Sequence, residues 1–518
     1  VIQYATSQHS SNLGAALDMP LNAQLNFSQS LARDVRPSIV AYGSYWTVLI
    51  QGARTNICQR TSGRDGANCH AFSLLDISGD SNNNTGIHSE QTIPKKVIPM
   101  RFGTISWLSI GMILGIAYPS HADQWGHWRG PLGNGVAIDA NPPIEFGADK
   151  NLRWKVAIPG RGSASPVVWG KQVFVSTAVA VPGSDRLAFQ LICLDRATGQ
   201  PVWAKTAVEA KPHDKSHETN GYASASPCTD GLHVYAHFGS QGLFCYTMTG
   251  DLVWKRDFGD MRVRNGFGEG SSPTIAEEMI IVPWDHEQNS KLFALNKKTG
   301  ETIWETARSD EPSCWATPHI AVDANGQKQV VMNGQTAIRG YDLKSGRELW
   351  KCAGQAQRPC SSATSMDGFA IVGSGFKGNY MGAFDLRGKG DLANTKNVLW
   401  STTNDTPDVA SPLLSGGRLY FYKEKTGLLT CLDAKTGKVH FATQRIPGVS
   451  RTYASPVAAA GFVYLTDRNG SITVIEDSPT LKVVATNTMG EGVDATPAIA
   501  DDEIFIRGES HLFCIGKK

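Results

Sequence analysis

The side chains best suited to chemistry cluster in KPHDKSHETNGY, where His213 and His217 alternate with Asp214 and Glu218. Imidazole and carboxylate suit a transition metal, and Asp285-His286 offers the same groups in another insertion, so His213, His217, Asp285 and His286 are the candidate metal residues. Their spacing matches no motif of known geometry, and a solvated polar loop explains the run equally well. Gly373-Ser374-Gly375-Phe376-Lys377-Gly378 satisfies G-x-G-x-x-G, but no helix pattern follows it, so it reads as a hairpin. Walker A, G-x-S-x-G and H-E-x-x-H motifs do not occur. None of the ten cysteines is adjacent to another. Cys193, Cys245, Cys431 and Cys514 recur at one position of a repeat and read as core. A disulfide between Cys352 and Cys360 is open after export, but sequence does not fix pairing.

That repeat dictates where any site can lie. An Asp/Asn followed by Thr/Ser-Gly and then Trp recurs in CLDRATGQPVW, ALNKKTGETIW and GYDLKSGRELW, with CLDAKTGKVHF ending in Phe441 and CYTMTGDLVW one residue shorter. A second element, Ser/Thr-Pro before an apolar strand, starts at Ser165, Ser226, Ser272, Thr317, Ser411, Ser455 and Thr496. Between Thr317 and Ser411 the spacing doubles, and CSSATSMDGFAIVGSG fills the gap as a copy without proline. A period of about 45 residues with short β-rich segments is propeller-like. Proline at the start of a strand needs no ladder donor. Asp and Gly make the hairpin, and Trp is placed to pack between neighbouring blades.

The fold expected is all-β, an eight-bladed β-propeller of four-stranded antiparallel blades. The last unit stops after its third strand, and Leu152–Ile158 is a Trp strand with no unit before it. The N-terminal strand is therefore expected to complete the C-terminal blade and remove the open edges. Residues just before each Ser/Thr-Pro should then line one mouth of the axial channel. These are Arg161, Tyr222, Glu269, Trp315, Asp408, Arg451, Tyr453 and Asp494. Mixed charge with aromatics suits a small polar ligand or a peptide.

The Asp…Thr-Gly…Trp element resembles the tryptophan-docking repeat of pyrroloquinoline-quinone (PQQ)-like propellers, which include quinoprotein dehydrogenases and the non-catalytic propeller of the outer-membrane β-barrel assembly machinery. HWRGP, HETNGYASASP and SCWATP are similar to exported repeat proteins of planctomycete type. The resemblance implies a non-enzymatic binding or scaffolding module in the cell envelope, with an envelope protein, a peptide or a small polar ligand as partner and no cofactor. The alternative it implies is a PQQ-dependent dehydrogenase holding PQQ with calcium and oxidising an alcohol or sugar. The vicinal cysteine pair of those enzymes is missing, and their calcium ligands map onto no shared motif.

Residues 1–99 carry no sustained period and read as a non-structured or mis-assigned extension. Within 100–122, Arg101 precedes the apolar run Ile105–Tyr118, and Ser120-His121-Ala122 supplies a small-x-small site. This has the order of a cleavable signal peptide and is shorter than the ~20 residues that span a bilayer. Translation from Met100, cleavage near Ala122 and release to the periplasm or cell envelope without a transmembrane anchor are expected. An arm over 123–150 and the propeller over 151–518 would follow, as a monomer. Charge agrees with this: 49 Lys+Arg against 47 Asp+Glu gives +2, which excludes a nucleic-acid-coating role. Apolar residues at 41% supply a core, and 53 glycines supply its many turns.

Overall fold

The computed structural model describes residues 124–517, together with three short strands, Ile2–Gln3, Ser38–Tyr42 and Tyr45–Leu49. Those three form a small sheet within a unit spanning 1–111, distinct from the unit spanning 112–518. The signal-like segment 100–122 and most of 1–99 lie outside the described residues.

The larger unit is the eight-bladed ring that the repeat predicts. Its inner strands, in blade order, are Val167–Trp169, Cys228–Thr229, Thr274–Ala276, His319–Val322, Thr364–Met366, Leu413–Ser415, Val457–Ala459 and Ala498–Ala500. Each blade then runs outward through antiparallel hairpins. The proline-free copy is a true blade 5, with Phe369–Ser374 as its second strand. Blade 1 takes the longest stretch of sequence because its outer three strands, Gln172–Ala180, Leu187–Asp195 and Pro201–Ala210, are nine to ten residues long. Blade 8 is completed by Leu152–Ala157, with Trp154 opposite Cys514 and Ala157 opposite His511. The first and last strands of the propeller segment thus share one sheet, so opening the ring exposes two edges at once.

Blades lock through the outer-strand tryptophans. Nε1–H of Trp154, Trp203, Trp254, Trp304 and Trp400 donates to the carbonyls of Arg196, Met248, Lys297, Leu343 and Ala434, one hairpin further round, at 2.8–3.0 Å. The hairpin glycine lies flat on each ring. At Gly300, with φ +74°, an added Cβ would sit 2.7 Å from the Trp254 indole, so both backbone and packing demand glycine there. Trp350 departs from the rule. Its N–H donates to Gln329 Oε1 at 2.8 Å, and Gln329 Nε2 passes the bond on to the Leu386 carbonyl at 2.7 Å.

Strand interiors supply the core. Every residue of Met279–Trp284 is buried, as apolar runs at a blade centre must be when both faces meet neighbouring blades. Cys193, Cys245, Cys431 and Cys514 are buried in third strands, as expected. All eight described cysteines are free thiols, Cys352 and Cys360 among them.

The Ser/Thr of each Ser/Thr-Pro holds the ring together near its axis. The N–H of Ser165 donates to Ser226 Oγ, and the same bond repeats from Ser226 to Ser272, Thr317, Ser362, Ser411, Ser455 and Thr496, at 2.8–3.2 Å. Ser362 supplies this hydroxyl in blade 5 without its proline.

Residues 124–150 form an arm across the opposite end of the channel. Gln124–Trp125 pairs with the inner strand of blade 1, and Gly126 accepts the Thr229 N–H of blade 2. Gly133 lies against His319 of blade 4, Arg129 donates to the Pro412 carbonyl of blade 6, and Val136–Ala137 pairs with blade 7. Contact with so many inner strands within so short a segment requires the arm to cross the axis. Among the described residues no helix is long and apolar enough to span a membrane.

Candidate functional site

With the arm across one end, the channel is a cup open at the loops that precede the inner strands. Its space is about 210 Å³. The hydroxyls of Ser165, Ser226, Ser272, Thr317, Ser455 and Thr496 face it, and Trp128 of the arm reaches it, with Nε1–H donating to Thr496 Oγ1 at 3.3 Å.

Aromatic rings and paired charges make the wall. Phe267 and Trp315 meet edge to face with centroids 6.1 Å apart, and Trp315 Nε1–H is fixed on the Gly268 carbonyl at 2.7 Å. The Arg358 guanidinium lies 3.8 Å from the Phe376 ring and donates to both oxygens of buried Asp408 at 3.1 and 3.0 Å. Lys425 joins the same carboxylate at 3.3 Å. Further round, Arg468 binds Asp494 through two bonds of 2.6 and 2.7 Å and stacks 4.2 Å from the Tyr453 ring. The hydrogen bond to Asp494 holds the Arg468 guanidinium above its ordinary pKa. Such stacked, doubly bonded guanidiniums keep their orientation and charge.

Of the rim residues expected from sequence, Trp315, Tyr453 and Asp494 line the cup. Asp408 lies behind the wall beneath Arg358 and Lys425, and Arg451 covers Tyr453 from outside at 5.6 Å. Arg161 turns to the Glu218 carbonyl. Tyr222 and Glu269 face a narrower adjoining cavity of about 40 Å³ instead. Glycines on both sides of Glu269 let its loop turn, so its carboxylate takes the Ser240 N–H at 2.7 Å and the Ser240 hydroxyl at 2.5 Å. Burial pushes its pKa up. Trp128, Phe267, Arg358 and Lys425 were not among the expected rim residues. HWRGP carries Trp128, but nothing local in that motif places it on the axis.

The candidate metal residues His213, His217, Asp285 and His286 each meet a different neighbour. His213 Nε2 is 2.8 Å from the Met261 carbonyl, and His217 Nδ1 is 2.9 Å from Thr219 Oγ1. Asp285 is held by two bonds from buried Arg308 at 2.8 and 3.0 Å, and His286 Nδ1 accepts the Arg262 N–H at 3.1 Å. No three His, Cys, Asp or Glu residues among the described residues are grouped to hold a metal. Nor does the cup's donor set fit a calcium-held quinone. Calcium takes six to eight oxygens from carboxylates, carbonyls and water, whereas the cup's lining carboxylate, Asp494, is already bound by Arg468.

The family model described as outer membrane protein assembly factor BamB matches residues 188–443 and 392–516. The BamB of Yersinia pestis is 20% identical over 333 residues, covering 61% of this chain and 77% of that protein. The BamB of Shewanella oneidensis is 22% identical over 331 residues, with the same 61% and 77% coverage. Among solved structures, the quinohemoprotein alcohol dehydrogenase of Comamonas testosteroni superposes with a TM-score of 0.53 at 10% identity, over 77% of this chain and 82% of that one. At that identity the likeness is one of fold alone.

Proposed function

The chain belongs to the family described as outer membrane protein assembly factor BamB, and on that premise we propose that it is an exported, non-enzymatic propeller. It works in the cell envelope as a binding or scaffolding module for an envelope protein or peptide, needs no cofactor, and presents its axial cup as a ligand site. The observation that carries this reading is the family match running through the blades that form the ring. The segment 100–122 supports export as a cleavable signal, and 1–99 is then an extension outside the mature protein. The one carboxylate lining the cup among the described residues, Asp494, is held by Arg468, which counts against the dehydrogenase alternative, because a quinone bound with calcium would find few ligands there.

Two measurements test the reading together. N-terminal sequencing of protein recovered from the envelope fraction should find a terminus just after Ala122, and cross-linking there should join the protein to a component that assembles outer-membrane barrels. Purified protein mixed with PQQ and calcium should leave an electron-accepting dye unreduced when alcohols or sugars are added. Dye turnover, or a mature terminus before Met100, overturns the proposal.

A further inference from the structure

The ring hydroxyls have a property that holding blades together does not require. From Ser226 round to Thr496, each oxygen accepts one backbone N–H from the preceding blade, and Ser165 begins the series. Among the described residues none of these O–H groups has an acceptor. Those facing the cup are more than nine-tenths buried, Thr317 being the most exposed at 9%. Buried hydroxyls normally find a partner. Each here keeps a proton to give, and all but Thr496, whose oxygen also takes the Trp128 N–H, keep a second lone pair to offer.

We propose that the axial cup binds a neutral, hydroxyl-rich ligand, a monosaccharide or the end of a glycan; this rests on reading the propeller as a binding module. Three features of the cup select that chemistry. An alcohol both donates and accepts, as the ring hydroxyls do, whereas a carboxylate or phosphate only accepts. The cations of the wall are not free for an anion, since Arg358 and Lys425 share Asp408 and Arg468 is bound to Asp494. Held in this way, Asp494 still presents lone pairs at the cup, where a sugar's neighbouring hydroxyls can donate to them. Finally, Trp128, Phe267, Trp315 and Tyr453 surround these polar groups, and their faces can cover the C–H surface of a pyranose ring. A space of about 210 Å³ takes a sugar ring and not a folded partner. The ligand enters from the loop side, because the arm crosses the other end.

Calorimetric titration of the purified protein with glucose, galactose, N-acetylglucosamine and their 1→4-linked disaccharides tests the assignment. Saturable binding of at least one is expected, with an affinity unchanged by added salt, since a neutral ligand has no charge to screen. Trp315→Leu and Tyr453→Ala should each weaken it about tenfold, with melting curves confirming that both variants fold, while Lys482→Ala, exposed just before an outer strand, leaves it unchanged. Folded wild-type protein that binds none of these sugars overturns the inference. So does preferential, salt-sensitive binding of succinate, citrate or phosphate, or competition by peptides in place of sugars. Sugar binding without any envelope cross-link would leave this inference standing and sink the broader role. An envelope cross-link without sugar binding would do the reverse.

Discussion

The indole N–H of Trp128 donates to the hydroxyl of Thr496, 368 residues away in sequence, at 3.3 Å. Thr496 Oγ1 also takes the Ser455 N–H, the regular bond between blades 7 and 8, so the arm adds a side-chain donor to the last hydroxyl of the series. The same arm segment carries Arg129, which is buried and bound to the Asn134 and Pro412 carbonyls, and whose remaining nitrogens have no partner. Burial lowers the Arg129 pKa to about 9. The arm is thereby part of the ring's closure as well as the floor of the cup.

Trp128→Phe removes one N–H but leaves Thr496 Oγ1 its bond from the Ser455 N–H at 3.0 Å. The expected loss is about 0.5–1.5 kcal/mol. Thr496→Val strands both donors in a buried place and should cost about 2–6 kcal/mol, since each orphaned group costs about 1–3. Urea unfolding of the two variants measures the difference. Equal losses would show that the Trp128 bond is not the lesser of the two.

Gln329 is the relay that lets Trp350 dock without reaching the next hairpin itself. It is fully buried, and its amide bonds to Trp350 and Leu386 are 2.8 and 2.7 Å. Gln329→Leu keeps the volume and leaves an indole N–H and a carbonyl unsatisfied, so about 2–5 kcal/mol should go. Gln329→Glu keeps an acceptor for Trp350 but turns a charge toward the Leu386 carbonyl, and should be at least as damaging. Thermal melts of both variants check this; a melting temperature within a degree of the parent for Gln329→Leu would remove the relay from the account.

Blade number, blade order and the closing strand were legible because each rests on a local backbone need repeated along the chain. Proline begins an inner strand, Thr-Gly turns a hairpin, and Trp follows at a constant distance. Blade 5 shows how far that reaches: its proline is gone, yet Ser362 keeps the ring bond at 2.8 Å to Ser411. The cup was legible only in part. Trp315, Tyr453 and Asp494 follow from strand phase, whereas Trp128 arrives through the arm's contacts with distant blades, and Arg358 through stacking on Phe376. Glu269 instead faces Ser240 and the adjoining cavity, its loop turned between two glycines, which strand phase alone does not show. For His213 and His217, polar spacing in a loop does not reveal that one imidazole meets the Met261 carbonyl and the other Thr219.

Acid should unfold the ring through histidines held neutral. His237 and His319 are 1% and 4% exposed, and burial lowers their pKa from 6.5 to about 4 and about 3; for His319 the nearby Arg129 adds to the effect. A base with a depressed folded pKa binds its proton more readily in the unfolded chain. Stability from this source is therefore complete above the unfolded value near 6.5 and falls as pH drops toward 4, by up to about 1.4 kcal/mol per pH unit for each histidine. Urea midpoints at pH 7, 6 and 5 should decline in that order. His319→Gln, which cannot titrate and can still bond Ser365, should lower the slope by about a third at an unchanged unfolding m-value, since His127 and His237 titrate with it. A midpoint independent of pH across this range would mean that these imidazoles are protonated as easily in the native ring as in the unfolded chain.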